Sequence, residues 1–224
     1  KMIGKIKKFN FKSLLILNIF ALIITSYFFN NFILLGVFTL FFFISLLTTK
    51  NGLEIIRKLN LLQNIRAEGP VNHYIKRDTP TMGGIFMIVP FLIFLTLITI
   101  NLGSFKLFLV LLTIFGFFIT GFLDDYISIK NKENKGLKAK EKFILQSIVS
   151  IIFILLAYEK NLINPFITVS DSWGINMNIF ILPISFLVLV GISNSVNLTD
   201  GLDGLAAGCS GIVFYGLGTE ILMK

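Results

Sequence analysis

Seven apolar stretches, at residues 14–29, 32–47, 85–100, 105–122, 143–158, 179–196 and 205–223, alternate along this chain with polar connections. No feature constrains the fold more. Such stretches are driven out of water, and in lipid their backbone N–H and C=O groups find no solvent partner. A helix is the structure that satisfies both demands within one segment. A 16-residue helix rises only about 24 Å, short of a roughly 30 Å hydrocarbon core. The shorter stretches must therefore borrow flanking residues or thin the bilayer. The expectation is an all-α, polytopic transmembrane helix bundle of about six or seven spans, forming one membrane domain over residues 1–224. With 55% hydrophobic and 14% charged side chains and a mean hydropathy of +0.86, an ordinary soluble domain is excluded. Pro90 and Pro183 sit inside spans, which membrane helices tolerate where neighbours satisfy the freed carbonyls.

The net charge of +8 is that of many nucleic-acid binders. Here, however, the lysines lie between spans rather than along one polar face, so no nucleic acid is expected and membrane lipids are. Loop 50–82 carries Lys50, Arg57, Lys58, Arg66, Lys76 and Arg77, and loop 123–142 carries Lys130, Lys132, Lys135, Lys138, Lys140 and Lys142. The connection 101–104 has no basic residue, and 159–178 has only Lys160. The positive-inside rule then places loops 50–82, 123–142 and 193–204 together on the cytoplasmic face. Two initial spans also bring Lys1, Lys5, Lys7, Lys8 and Lys12 there, and the first is read as retained rather than as a removable signal peptide. Tyr158 and Trp173 fit an interfacial belt on the opposite side. Cys209 reads as a buried structural thiol, and the 25 phenylalanines, spread over every span, as lipid-facing residues.

Two acidic clusters share the cytoplasmic face. Asp124-Asp125 follows the span 105–122, and Asn197, Asp200 and Asp203 follow the span 179–196. Ionisable groups at the end of a membrane segment are costly and point to function. Two sets of hard oxygen ligands at matching depth suit a shared divalent cation, Mg²⁺, holding a phosphate. Adjacent carboxylates point about 100° apart on a helix, so one can bind the ion while its neighbour turns to a second ligand or a lysine. Asp200 and Asp203 share a face if helical; a capping turn is the alternative, since Asn, Asp and Gly favour both. Lys138, Lys140 and Lys142 offer point charges to phosphate. Thr79-Pro80-Thr81-Met82-Gly83-Gly84 opens a span with backbone N–H groups suited to an anion. His73, the sole histidine, gives no zinc set, and no Walker-type loop is present. Phosphoryl transfer between a soluble nucleotide and a lipid phosphate fits these parts.

Four stretches together resemble the polyprenyl-phosphate sugar-1-phosphate transferases. They are Glu68-Gly69-Pro70 with His73, Lys76-Arg77-Asp78-Thr79-Pro80-Thr81-Met82-Gly83-Gly84, Gly121-Phe122-Leu123-Asp124-Asp125-Tyr126, and the string from Asn194 to Gly204. The last, with the Pro-Thr-Met-Gly-Gly form, resembles the branch that uses a phospho-N-acetylmuramoyl-pentapeptide donor. The resemblance implies attack by undecaprenyl phosphate on UDP-N-acetylmuramoyl-pentapeptide, with Mg²⁺ bridging the pyrophosphate, in the bacterial cytoplasmic (inner) membrane. It implies catalytic and metal-binding roles for Asp124, Asp125 and Asp200. It further implies substrate contacts from Lys76, Thr81, Lys140, Asn197, Asp200, Gly201, Leu202 and Asp203, and a homodimer. Whether Asp124 serves as a base or a nucleophile stays open.

Departures accompany the match. Ser128 and Asp78 stand where the family commonly has lysine and glycine. The family also carries a third aspartate and a histidine-rich loop beyond the matched region, so these 224 residues alone are expected to be catalytically incompetent. The competing readings are a non-catalytic paralogue acting as a binding or scaffold subunit, and a related N-acetylhexosamine-1-phosphate transferase.

Overall fold

In the computed structural model, the described residues are 23, 27, 32–59, 61, 81–131, 136–170, 173–200 and 204–223. They form helices α1 (Phe32–Lys58), α2 (Gly84–Leu102), α3 (Phe105–Asn131), α4 (Ala139–Glu159), α5 (Ile181–Thr199) and α6 (Leu205–Met223). A two-stranded hairpin, β1 (Phe166–Ser170) and β2 (Trp173–Asn176), follows α4. Among the described residues five helices are long and apolar enough to cross a membrane, and Leu205–Gly218 is a shorter apolar helix. The all-α, multi-pass membrane architecture follows. The first apolar stretch, 14–29, lies outside the described residues apart from 23 and 27.

Two compact units divide the chain, Ser45–Leu198 and a second made of Lys1–Ile44 with Thr199–Lys224. Within the first, α3 packs against both α2 and α4. Gly103, in the left-handed region at φ 56°, ends α2 and turns the chain straight into α3. Four threonine side chains in α2 and α3 are satisfied within their own helix. The hydroxyls of Thr96, Thr99, Thr113 and Thr120 donate to the carbonyls four residues earlier, at 2.6–3.0 Å. Small residues admit the neighbouring helix, as membrane packing requires. A Cβ on Gly116 would meet Val149 of α4 at 2.7 Å, and one on Gly52 of α1 would fall on the Phe86 ring of α2. Thr48 donates to the Phe86 carbonyl at 2.7 Å in the same contact.

Two helix ends and one connection differ from the sequence expectation. The second apolar stretch, 32–47, continues as helix to Lys58, and α3 continues past the acidic pair to Asn131. A 27-residue helix is about 40 Å long, so its last turns outrun a roughly 30 Å core and carry polar residues beyond it. The connection 159–178 is no irregular loop. Its β-branched Ile167 and Thr168 pair antiparallel with Ile175 and Gly174, and Met177 N–H closes on the Pro165 carbonyl at 2.8 Å. The Cys209 expectation also fails, because this residue is exposed, on the outside of an apolar helix. Trp173 and Tyr158 are exposed, as an interfacial pair would be.

In the second unit, Gly204 at φ 83° precedes α6, whose first turn closes with Gly208 N–H on the Gly204 carbonyl at 2.9 Å. Ile212 and Phe214 of this helix are 76% and 72% exposed among the described residues.

Candidate active site

Asp124 and Asp125 lie on α3 two turns before its end, and their carboxylates diverge as helical neighbours must. Asp124 faces the segment leading into α4. Its Oδ1 accepts the Leu137 backbone N–H at 2.8 Å, and its Oδ2 meets Lys142 Nζ at 3.0 Å. The ion pair is largely shielded, with side chains 26% and 17% exposed, so it is stronger than a surface pair. Gly136 makes the approach feasible, since a Cβ there would fall on the Asp124 carboxylate and main-chain oxygen. Asp125 faces the turn that opens α2, accepting hydrogen bonds from the Thr81 hydroxyl and the Met82 backbone N–H. Met82 sits at φ 63°, a strained conformation for a side chain of its size, and such strain clusters at functional sites. The anion this hydroxyl-rich turn addresses is therefore a carboxylate of the chain itself.

Helix α4 also reaches α5. One turn beyond Lys142, Gln146 is 2% exposed; its Oε1 accepts from Asn194 Nδ2 at 2.8 Å and its Nε2 donates to Ser193 Oγ at 3.2 Å. Asn194 Nδ2 also donates to the Val190 carbonyl at 2.8 Å. Phe143 meets Phe186 edge-on at 6.4 Å between ring centroids. One face of α4 thus holds the acidic pair through Lys142 and the Asn-rich end of α5 through Gln146. From sequence, Lys142 was one of three lysines offered to phosphate rather than to Asp124, and Gln146 was not expected at the site at all. Their i, i+4 spacing on one helix face, beside two polar clusters, was the available signal.

Of the expected site residues, the structure brings Thr81 and Asp125 together. Lys140 is exposed on the first turn of α4, and Asn197 is exposed near the end of α5. Asp200 is exposed and belongs to the other compact unit. Lys76, Gly201, Leu202 and Asp203 lie outside the described residues. Among the described residues no group of three His, Cys, Asp or Glu side chains gathers. Two adjacent carboxylates nonetheless suit Mg²⁺, which takes one or two protein carboxylates and completes its shell with phosphate oxygens and water. A carboxylate has about four lone-pair sites, so capacity remains after the hydrogen bonds described.

Fold and site together define a multi-pass helical membrane protein with a carboxylate–lysine centre at one end of its bundle. The model of glycosyl transferase family 4 matches residues 107–223, more than half of the chain, and the chain belongs to that family. Residues 76–88, which include Thr81 and Met82, match phospho-N-acetylmuramoyl-pentapeptide-transferase signature 1. Proteins named phospho-N-acetylmuramoyl-pentapeptide-transferase are similar throughout. One from Prochlorococcus marinus (strain MIT 9215) is 82% identical over 223 residues, covering 100% of this chain and 62% of the relative. One from Prochlorococcus marinus subsp. pastoris is 54% identical over the same coverage. One from Halalkalibacterium halodurans is 38% identical over 184 residues, 81% of this chain and 57% of the relative. The chain thus spans about three-fifths of the length of these relatives.

Proposed function

We propose that the protein transfers phospho-N-acetylmuramoyl-pentapeptide from its UDP-linked donor to undecaprenyl phosphate, giving lipid I and UMP, a step of bacterial peptidoglycan synthesis. The observation that supports this most is the meeting of two motif segments. The turn in signature region 76–88 holds Asp125, and the start of α4 holds Asp124.

The chemistry asks little covalent work of the protein. A phosphomonoester with a second pKa of about 6 is largely dianionic at neutral pH, so the lipid phosphate needs no base. One of its oxygens attacks the donor's β-phosphorus in line. The bond from that phosphorus to the oxygen bridging the two phosphates breaks, and that oxygen leaves on UMP. Asp124, Asp125 and Asp200 would hold Mg²⁺, which when bound supplies positive charge to the pyrophosphate. By the family resemblance, Lys140 would meet phosphate, and Asn197, Asp200 and Asp203, with Gly201 and Leu202, would line a nucleotide site that Lys76 and Thr81 complete. Direct attack leaves no role for Asp124 as base or nucleophile; its task is electrostatic.

The lysine-rich connections support a position for this centre on the cytoplasmic face of the inner membrane, where a nucleotide donor is found. Sealed membrane vesicles of both orientations test activity and sidedness together. They are made from cells producing the protein from its full reading frame, and UMP release is measured above vesicles lacking it. Inverted vesicles should release UMP from added donor at once, and right-side-out vesicles only after permeabilisation. Equal release from both intact preparations would contradict the sidedness. No donor-dependent release after permeabilisation would contradict the activity.

A further inference from the structure

Both oxygens of Asp124 are engaged by the segment that begins α4. The Leu137 N–H takes Oδ1, and the Lys142 ammonium takes Oδ2 at 3.0 Å. The neighbouring Asp125 is turned away, held by Thr81 and Met82. The positive charge that two adjacent, half-buried carboxylates demand is therefore supplied from within the chain. A divalent ion that takes Asp124 must contend with that ammonium, because two cations cannot share one carboxylate edge without strong repulsion.

We propose that Lys142 is a displaceable internal cation: it neutralises Asp124 when no ion is bound, and a divalent cation competes with it for Asp124 Oδ2. The inference rests on the reading of the acidic pair as a cation site. Lysine suits this exchange, because its ammonium is a point charge on a flexible four-carbon stem, whereas an arginine fork would grip both carboxylate oxygens. Helix α4 is anchored independently of the ion pair. Gln146 binds Asn194 of α5 one turn beyond Lys142, and Val149 packs against Gly116 of α3. The stem can thus swing while the helix stays in place. Once displaced, the ammonium stands beside the ion and is free to meet the phosphate that arrives with it.

Mn²⁺ serves as the probe, its binding to the whole chain in nanodiscs followed by electron paramagnetic resonance without nucleotide or lipid phosphate. Lys142→Met and Lys142→Gln should each bind Mn²⁺ about tenfold more tightly than the parent, from loss of a competing charge a few ångströms away. Lys142→Arg, which keeps the charge and folds with the pair intact, should bind about tenfold more weakly. The gain should vanish in the double variant Asp124→Asn/Lys142→Met. Thermal unfolding gives a second readout: Mn²⁺ should raise the Tm of Lys142→Met more than that of the parent, as linkage requires. Equal Mn²⁺ affinity in the parent, Met and Arg forms would overturn the proposal while leaving the cation site standing. Absence of specific binding in every form would overturn both. A gain that persists with Asp124→Asn would place the ion elsewhere and overturn the exchange at Oδ2.

Discussion

Asp125→Asn will lower UMP release by about 10²–10³-fold, the usual cost of removing one well-placed charge-stabilising group. The substitution keeps the shape of the side chain and takes away its charge. It also turns an amide NH₂ toward the Thr81 hydroxyl or the Met82 N–H, both of which donate to the carboxylate in the native site. With the NH₂ toward Thr81, whose hydroxyl can accept as well as donate, both hydrogen bonds are kept; turned toward Met82, it leaves that N–H unpaired at about 1–3 kcal/mol. The measurement is turnover in nanodiscs by the protein expressed from its full reading frame, with donor, lipid phosphate and Mg²⁺ in excess. A thermal scan accompanies it, to separate chemistry from unfolding. Near-normal turnover by a folded Asp125→Asn would remove Asp125 from the site.

Gly136→Ala should be nearly as damaging, although this residue carries no functional group. The added methyl would occupy the place of the Asp124 carboxylate and carbonyl oxygen. A main-chain atom in the middle of a packed helix cannot give way as a flexible side chain can. Residues 136–137 must instead retreat, drawing the Leu137 N–H away from Asp124 and shifting the start of α4 that carries Lys140 and Lys142. A misplacement of about 1 Å in a positioned group costs on the order of 10²-fold in rate. Gly191→Ala in α5 is the matched control, because a Cβ there meets nothing within 4 Å and alanine favours the helix. Comparable turnover in Gly136→Ala and Gly191→Ala would show that the close approach at Asp124 is dispensable.

The spans were legible because lipid imposes one rule on every segment: an unbroken apolar run must close its own backbone hydrogen bonds. The acidic pair stood out for the complementary reason, since carboxylates beside hydrocarbon are costly, and the structure shows both of them held by partners of the chain itself. Helix ends were less so. Beyond residue 122 the composition of α3 turns polar, which marks where it leaves hydrocarbon rather than where it stops, and the helix runs on to Asn131. The hairpin after α4 had a readable signal in Ile167-Thr168-Val169, but the mild polarity of 159–178 reads equally as a loop.

Among the lysines, sequence favoured Lys140 by resemblance, whereas the structure turns Lys142 onto Asp124 and leaves Lys140 exposed. Which lysine turns inward depends on how α4 is rotated against α3, and that is set by contacts such as Gly116 with Val149. A distant packing detail of this kind leaves no mark near the lysines themselves. Gln146 was illegible for the same reason. Its partner Asn194 lies in a motif, but their meeting depends on how α5 sits against α4.

In the proposed reaction the bond broken lies between the donor's two phosphorus atoms, on the β side, so that the β-phosphate travels with the sugar. Donor carrying ³²P at the β position tests it directly, with the protein from its full reading frame in nanodiscs containing undecaprenyl phosphate. The account predicts that label passes into the organic, lipid-linked fraction in step with the release of unlabelled UMP. Label that stays in the aqueous phase as UDP while the sugar moves to lipid would contradict it.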